Sequence, residues 1–521
     1  MKIVCIFTGY LCLLAVFCLI LPGSATATIP GYSCYLTVEE TYSVASSITA
    51  QYPDLASWTD VGDSWEKSEI GGNPGYDLMV LSLTNSAIAG TKPAMFVMSS
   101  ASGRDYAPAE LNTRFAQYLV EQYGVDPDVT WILDYHEIHL LLQANPDGRK
   151  QAEGGLSWAK NTNENYCDPT PSSRGSNLDN NFSFQWGCCG ESSGSECDNN
   201  YRGPSPSSEP EVQAIQNYLG ALFADQKGAA LDSPAPVETA GIFIDLQSYG
   251  GSVLWPWAFS SSVPPNGTAL QTLGRKLGAF NRYTPDQAVE LNPEDGTSVD
   301  FAYGELGLPS YRVELGTAFF ENCSAFENTI LPDNIDALLF AARALREPYM
   351  SPLGPEAINV SLSAAQVSQG ETITLTATMD DARFNTSNGA EPIQSIAAAQ
   401  YYIDAPSWVS SPAPVAWSMS AADGSFDSTS EIVQAQIDSS GLGTGRHTIF
   451  LNGKDGDDNW GPMAAVFLEV TEPGSGGNGG GCSTIGTAPG ENSWTDMIWF
   501  ALLATVLLFI RSEMVKGKSR T

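Results

Sequence analysis

The sequence predicts an α/β domain followed by an all-β one, and three observations carry the prediction. From about Tyr35 to Pro348, β-like runs alternate with stretches that place apolar residues at helical spacing. Two strands in that stretch, GIFIDL (241–246) and SYRVEL (310–315), are almost continuously apolar, as central strands are when helices cover both faces of a sheet. Beyond Pro352 the texture changes to short alternating segments broken by Gly, Pro, Asn and Asp, which reads as an Ig-like β-sandwich of about seven strands.

Taken in chain order, MVLSLT (79–84) and AMFVMSS (94–100) read as strands, 110–123 as a helix, 209–222 as a second helix and GIFIDLQS (241–248) as a further strand. In an open α/β sheet ligands sit beyond the carboxyl ends of the strands, so the residues that follow them are the candidates for function. The all-β part contributes ETITLTATM (371–379), AAQYYIDA (398–405), RHTIFLNGKD (446–455) and AAVFLEV (464–470). Its DGDDNWGP (455–462) is expected to be an acidic hairpin turn ending in a buried Trp460, because the spacing of an EF-hand calcium loop is absent. The domain bounds are then 28–350 and 353–472.

Both ends of the chain read as targeting segments. Lys2, the apolar run Ile3–Leu21 and Ala25-Thr26-Ala27 make residues 1–27 a cleavable secretory signal. A Gly-rich linker with Cys482 (473–496) leads to a hydrophobic segment (497–510) and a basic tail (511–521). As a helix those 14 apolar residues would reach about 21 Å, short of a hydrocarbon core of roughly 30 Å. The segment resembles the tripartite C-terminal tails of some Gram-negative bacteria, which implies a cell-surface or outer-membrane protein held through its C-terminal segment, or secreted after processing, with Cys482 as the processing or lipidation site. With 24 Lys and Arg against 59 Asp and Glu, a net charge of -35 excludes a general nucleic-acid partner. Six Cys lie between the two ends (Cys34, Cys167, Cys188, Cys189, Cys197, Cys323), with no CxxC pair and few His beside them. In an exported chain that pattern predicts disulfides rather than a zinc knot, with the pairing left open.

Several ordered strings in the α/β part resemble the zinc carboxypeptidase family (carboxypeptidase A-like). They are QANPDG (143–148), FSFQWG (182–187), YRGPSPSSEPE (201–211), DLQSYG (245–250), GTSVDFAY (296–303) and YRVELG (311–316). The resemblance implies a carboxypeptidase-like mixed central sheet and a Cys167–Cys197 loop disulfide. It also implies hydrolysis of peptide C-termini by one zinc, held by His and Glu of an HxxE turn and a later His. Such a metal ionises its water near neutral pH while a Glu takes the proton.

Position by position this chain departs from that plan. The HxxE turn falls on SASGRDYAP, placing Ser102 and Asp105 at the first two ligand positions, and the third falls on Gln247. The Asn-Arg pair that grips a substrate carboxylate falls on Asp179 and Asn180. The oxyanion Arg falls on Ala159, with Lys160 beside it as a substitute, and the lid Tyr on Asn292. Only the general-base position survives, as Glu314. A neutral hydroxyl and an amide are poor zinc ligands, so no zinc is expected beyond what the resemblance implies. The oxygen set suits calcium or magnesium better. The three His do not restore a nitrogen site: His136 and His139 read as structural residues on the strand leading into NPDG, and His447 lies in the sandwich. Arg104 reads as an ion-pair partner of a neighbouring acid.

The resulting expectation is an exported, surface-retained pseudopeptidase that binds a peptide or cationic ligand in the old cleft. Two alternatives stand beside it: an active metallocarboxypeptidase or amidase with atypical ligands and Glu314 as base, and a glycan or cell-wall binder acting through the sandwich.

Overall fold

The α/β part is organised by eight strands that form one mixed sheet in the order β1-β2-β4-β3-β5-β8-β6-β7. In this computed structural model, residues 29–473 are described, apart from 71, 168–172 and 292. The strands are β1 (Ala56–Asp63), β2 (Asp77–Leu83), β3 (Ala94–Ser99), β4 (Glu137–Leu141), β5 (Ile242–Gln247), β6 (Ser252–Trp255), β7 (Thr284–Gln287) and β8 (Ser310–Glu314). β4, β3, β5 and β8 run parallel at the centre. Antiparallel β1 and β2 close one side, and β6 returns antiparallel to β8 on the other. Every residue of β3 is buried, as its unbroken apolar run requires, while β1 at the edge has no fully buried residue.

The central strands deliver the site by their alternation. In register, Asp245 lies opposite Arg312 and Gln247 opposite Glu314. Successive side chains point to opposite faces, so these four polar residues share one face while Ile244, Leu246, Tyr311 and Val313 share the other.

After Leu353 the chain makes a second eight-stranded sheet. Its strands are β9 (Glu356–Leu362), β10 (Gln366–Ser368), β11 (Thr372–Asp380), β12 (Ile396–Ile403), β13 (Trp417–Ala421), β14 (Ser430–Asp438), β15 (Gly445–Asp455) and β16 (Ala464–Thr471). The region is all-β, with one strand more than expected. β13 pairs through Trp417–Met419 with β12 and through Ser420–Ala421 with β14, so it passes from one half of the sheet to the other. The turn after β15 is closed by Asp455, whose carboxylate accepts the amides of Asp457 and Asn459 and the Asn459 side chain. Its oxygens are thereby occupied by the turn itself, and Trp460 is half-buried rather than buried, lying near the Lys454 ammonium.

The two parts belong to one compact unit that ends at Glu472. Tyr402, Phe450, Met463 and Ala465 of the β region join the main hydrophobic core. At the seam, Lys276 on the helix Gly267–Asn281 is fully buried against Glu356 (3.1 Å), whose other oxygen takes Arg383 (2.6 Å). Nearby, Glu391 accepts from Arg275 and Thr272 (2.5 and 2.7 Å). Trp408 stacks on His136, and the Asp128 carboxylate accepts the Ala465 amide.

Three disulfides complete the body: Cys34–Cys323, Cys167–Cys197 and the adjacent pair Cys188–Cys189. Among the described residues no helix is long and apolar enough to cross a membrane. The signal (1–27), Cys482, the hydrophobic segment 497–510 and the basic tail lie outside the described residues.

Candidate functional site

A cleft of about 460 Å³ opens at the carboxyl ends of β3, β5 and β8. The SASGRDYAP turn reaches it because Asn145 of NPDG pins that turn from behind. The Asn145 amide donates to the carbonyls of Ala101, Ala159 and Lys160, and a Cβ on Gly103 would lie 2.3 Å from the Gly148 carbonyl carbon. No larger residue fits at Gly103 without moving that backbone. Ser102 and Asp105 are thereby set at the cleft wall.

Asp105 is fully buried. Its Oδ2 accepts only the Ser248 amide, at 3.3 Å, and its Oδ1 has no partner among the described residues. Burial pushes its carboxyl up to about 8, with Arg104 opposing the shift. Ser102 Oγ and Ser248 Oγ are likewise buried without partners. Glu314 ends β8 in the same cleft, with one oxygen accepting from Ser252 (3.1 Å). Burial raises its pKa against the pull of Arg312. Gly250 leaves room for that carboxylate, since a Cβ there would come within 2.1 Å of Glu314 Oε2.

The base of the cleft is organised differently. Arg312, two residues before Glu314 on the same strand face, is 1% exposed and ion-pairs with Asp179 and, at 2.6 Å, with Glu294. Asp179 also accepts from Gln247 Nε2 (2.9 Å) and the Ser298 amide (3.0 Å). The same Gln247 nitrogen reaches Asp245 (2.8 Å), which takes the Ser298 hydroxyl at 2.6 Å. Burial and the neighbouring Asp179 raise the pKa of Asp245. Burial alone would lower that of Arg312, but Asp179, Glu294 and Glu314 hold it well above the ordinary value. Asn180 donates to the Asp295 carbonyl and accepts from Asn177.

Ser102, Asp105, Asp179, Gln247, Glu314 and Ala159 therefore meet in one cleft, and Asn180 lies behind it. Asn292 lies outside the described residues. Lys160 does not take the oxyanion position. Its ammonium binds the carbonyls of Ser173 and Glu196 in the disulfide loop and of Asp198 just after it, because three backbone acceptors outcompete an open cleft. Among the described residues Arg104 makes no ion pair within 4 Å of an acid; it lies flat on Phe319, 3.6 Å from the ring centre, and touches Ser157. His136 caps the helix Pro127–Tyr135 rather than sitting within β4. Its Nδ1 is 2.9 Å from the Ala342 carbonyl, while His139 meets Ser82 and Tyr218. Arg312 and Glu294 were not singled out from the sequence. The signal for Arg312 was present, as a charge two residues from Glu314 in an otherwise apolar strand.

Zinc does not fit these residues. The three ligand positions offer a hydroxyl, one carboxylate and an amide whose nitrogen already serves two carboxylates, where zinc takes imidazole, thiolate or carboxylate donors. Among the described residues no group of three or more His, Cys, Asp or Glu is arranged to hold a metal ion.

The zinc carboxypeptidase family model matches residues 41–334, more than half of the chain. A zinc carboxypeptidase of Saccharothrix mutabilis subsp. capreolus is 26% identical over 315 residues, 56% of this chain and 65% of that protein. Carboxypeptidase A2 of Rattus norvegicus is 25% identical over 303 residues, 56% of this chain and 64% of its own. The match thus spans just under two thirds of these relatives. Among solved structures, thrombin activatable fibrinolysis inhibitor superposes with a TM-score of 0.51 at 22% identity, covering 60% of this chain and 74% of that one. Carboxypeptidase A from Helicoverpa armigera gives 0.50 at 19%, covering 61% and 76%. With the mixed sheet and the strand-end carboxylate in place, these likenesses establish that the chain belongs to the zinc carboxypeptidase family.

Proposed function

We propose that this protein is a carboxypeptidase-like binding protein that has lost hydrolysis and holds a peptide or cationic ligand in the former active-site cleft. One observation carries the reading. The groups that should hold metal and substrate carboxylate are either replaced or engaged by their own chain: Gln247 by Asp179 and Asp245, Asp179 by Arg312, Asn180 by Asp295. A C-terminal carboxylate would meet the anions Asp179 and Glu294 where a cationic clamp belongs, and their attraction is already answered by Arg312.

Glu314 supports the rival reading of an active hydrolase, since it keeps the general-base position in the cleft. Blocked peptides with free C-termini decide between them. Binding with no release of the C-terminal residue is the expected result; turnover that disappears in Glu314→Gln supports the hydrolase instead. Export and surface retention are part of the proposal, carried by the N-terminal signal and the C-terminal linker, hydrophobic segment and basic tail. The β region, read as an Ig-like sandwich, would then act as a spacer or adhesion module.

A further inference from the structure

The polar groups of the cleft fall into two sets. At the base, Asp179, Gln247, Asp245 and Arg312 answer one another. At the wall, three buried atoms meet no partner in hydrogen-bond geometry among the described residues: Asp105 Oδ1, Ser102 Oγ and Ser248 Oγ, although the Ser102 hydroxyl lies close enough to the Asp105 carboxyl to favour its ionised form. Asp105 is fully buried and lines the cleft, and Glu314 adds a second carboxylate to the same wall. A buried acceptor left without a donor costs about 1–3 kcal/mol, more when charged, so the wall is incomplete without an occupant.

We propose that the Ser102–Asp105–Ser248–Glu314 wall is a subsite for a primary ammonium group on an alkyl chain. This rests on the reading of the cleft as a ligand site. An ammonium carries three donors and no acceptor, which suits two hydroxyl oxygens and a carboxylate oxygen that lack donors. An anion would face two carboxylates. Calcium takes about six to eight oxygens, and of the six side-chain oxygens here one already accepts the Ser248 amide and one the Ser252 hydroxyl. A guanidinium's planar fork suits a pair of converging carboxylates, and that pair at the base, Asp179 and Glu294, is already bridged by Arg312. Tyr249, half-exposed and edge-on to Phe319 at 4.8 Å, offers an apolar surface for the alkyl stem. The ammonium can come from a lysine side chain or from a free diamine. Arg104, stacked on Phe319 at the same cleft, disfavours the second charge of a diamine.

Calorimetric titration of the full chain with Nα-acetyl-lysine amide, Nα-acetyl-norleucine amide and 1,5-diaminopentane tests this. The lysine amide is expected to bind at least tenfold tighter than the norleucine amide. Asp105→Asn and Glu314→Gln should each remove most of that difference, and Ser102→Ala should weaken binding about threefold, the scale of one lost neutral hydrogen bond. Diamine binding tighter than the lysine amide keeps the subsite and assigns it to free amines. Equal binding of lysine and norleucine amides overturns the ammonium assignment while leaving ligand binding by the cleft intact. Unchanged lysine preference in a folded Asp105→Asn variant also overturns it. No binding of any probe, together with hydrolysis of blocked peptides, sinks the subsite and the parent reading alike.

Discussion

The cleft and the seam between the α/β body and the β region both bury ionic groups, but they complete them differently. At the seam, both oxygens of Glu356 and both oxygens of Glu391 meet donors of the chain itself. At the cleft wall, one oxygen of Asp105 and two neighbouring hydroxyls have no hydrogen-bond partner among the described residues. A buried charge with its partners supplied holds parts of a fold together, whereas one with partners missing marks where something else belongs.

That contrast predicts opposite outcomes for substitution. Glu356→Ala should cost about 3–5 kcal/mol, because it strands the fully buried Lys276 without an anion. Denaturant unfolding should report this as a lowered midpoint in one transition, since the seam lies within one compact unit. Asp105→Asn should do the reverse and stabilise by on the order of 3 kcal/mol at pH 8. The sign follows from the raised carboxyl. The folded state binds more protons than the unfolded state between the ordinary value and about 8, so ionisation of Asp105 in the unfolded chain erodes stability as pH rises through that window. The gain from Asn should therefore grow with pH and level off above 8.

Arg312→Met should cost about 2 kcal/mol, less than the seam change because Glu294 keeps some access to the cleft. A thermal melt reads this, and a loss equal to or larger than that of Glu356→Ala would blur the distinction between the two regions. The smallest effect belongs to His136, which burial holds neutral with its pKa well below the usual imidazole value. Its unfolded form takes up a proton below about pH 6.5 and its folded form does not, so about 1–2 kcal/mol should be lost between pH 6.5 and 5. Denaturation midpoints across that range should show the slope, and His136→Gln should flatten it.

Much of this was legible in the residues. The apolar runs of β5 and β8 placed the sheet centre, and the ordered family strings placed Ser102, Asp105, Asp179, Gln247 and Glu314 in one cleft. What escaped was partnership. Local pattern reports which face a side chain takes, and so could have paired Arg312 with Glu314, but it does not report that Asp179 and Glu294 arrive from distant loops to neutralise it. The seam escaped for the same reason, since Lys276 and Glu356 are 80 residues apart and nothing near either one announces the other. The cysteine pairing was left open, and adjacency itself supplies it for Cys188 and Cys189. Lys160 was read from its neighbour in sequence and went instead to three carbonyls in and just after the disulfide loop.

The most direct test of the central claim is the zinc content of the purified full chain after equilibration with excess zinc and removal of loose metal by gel filtration. The donors at Ser102, Asp105 and Gln247 predict far less than one zinc per chain and no release of C-terminal residues. One tightly held zinc per chain, lost on Asp105→Asn together with peptide hydrolysis, would contradict the account.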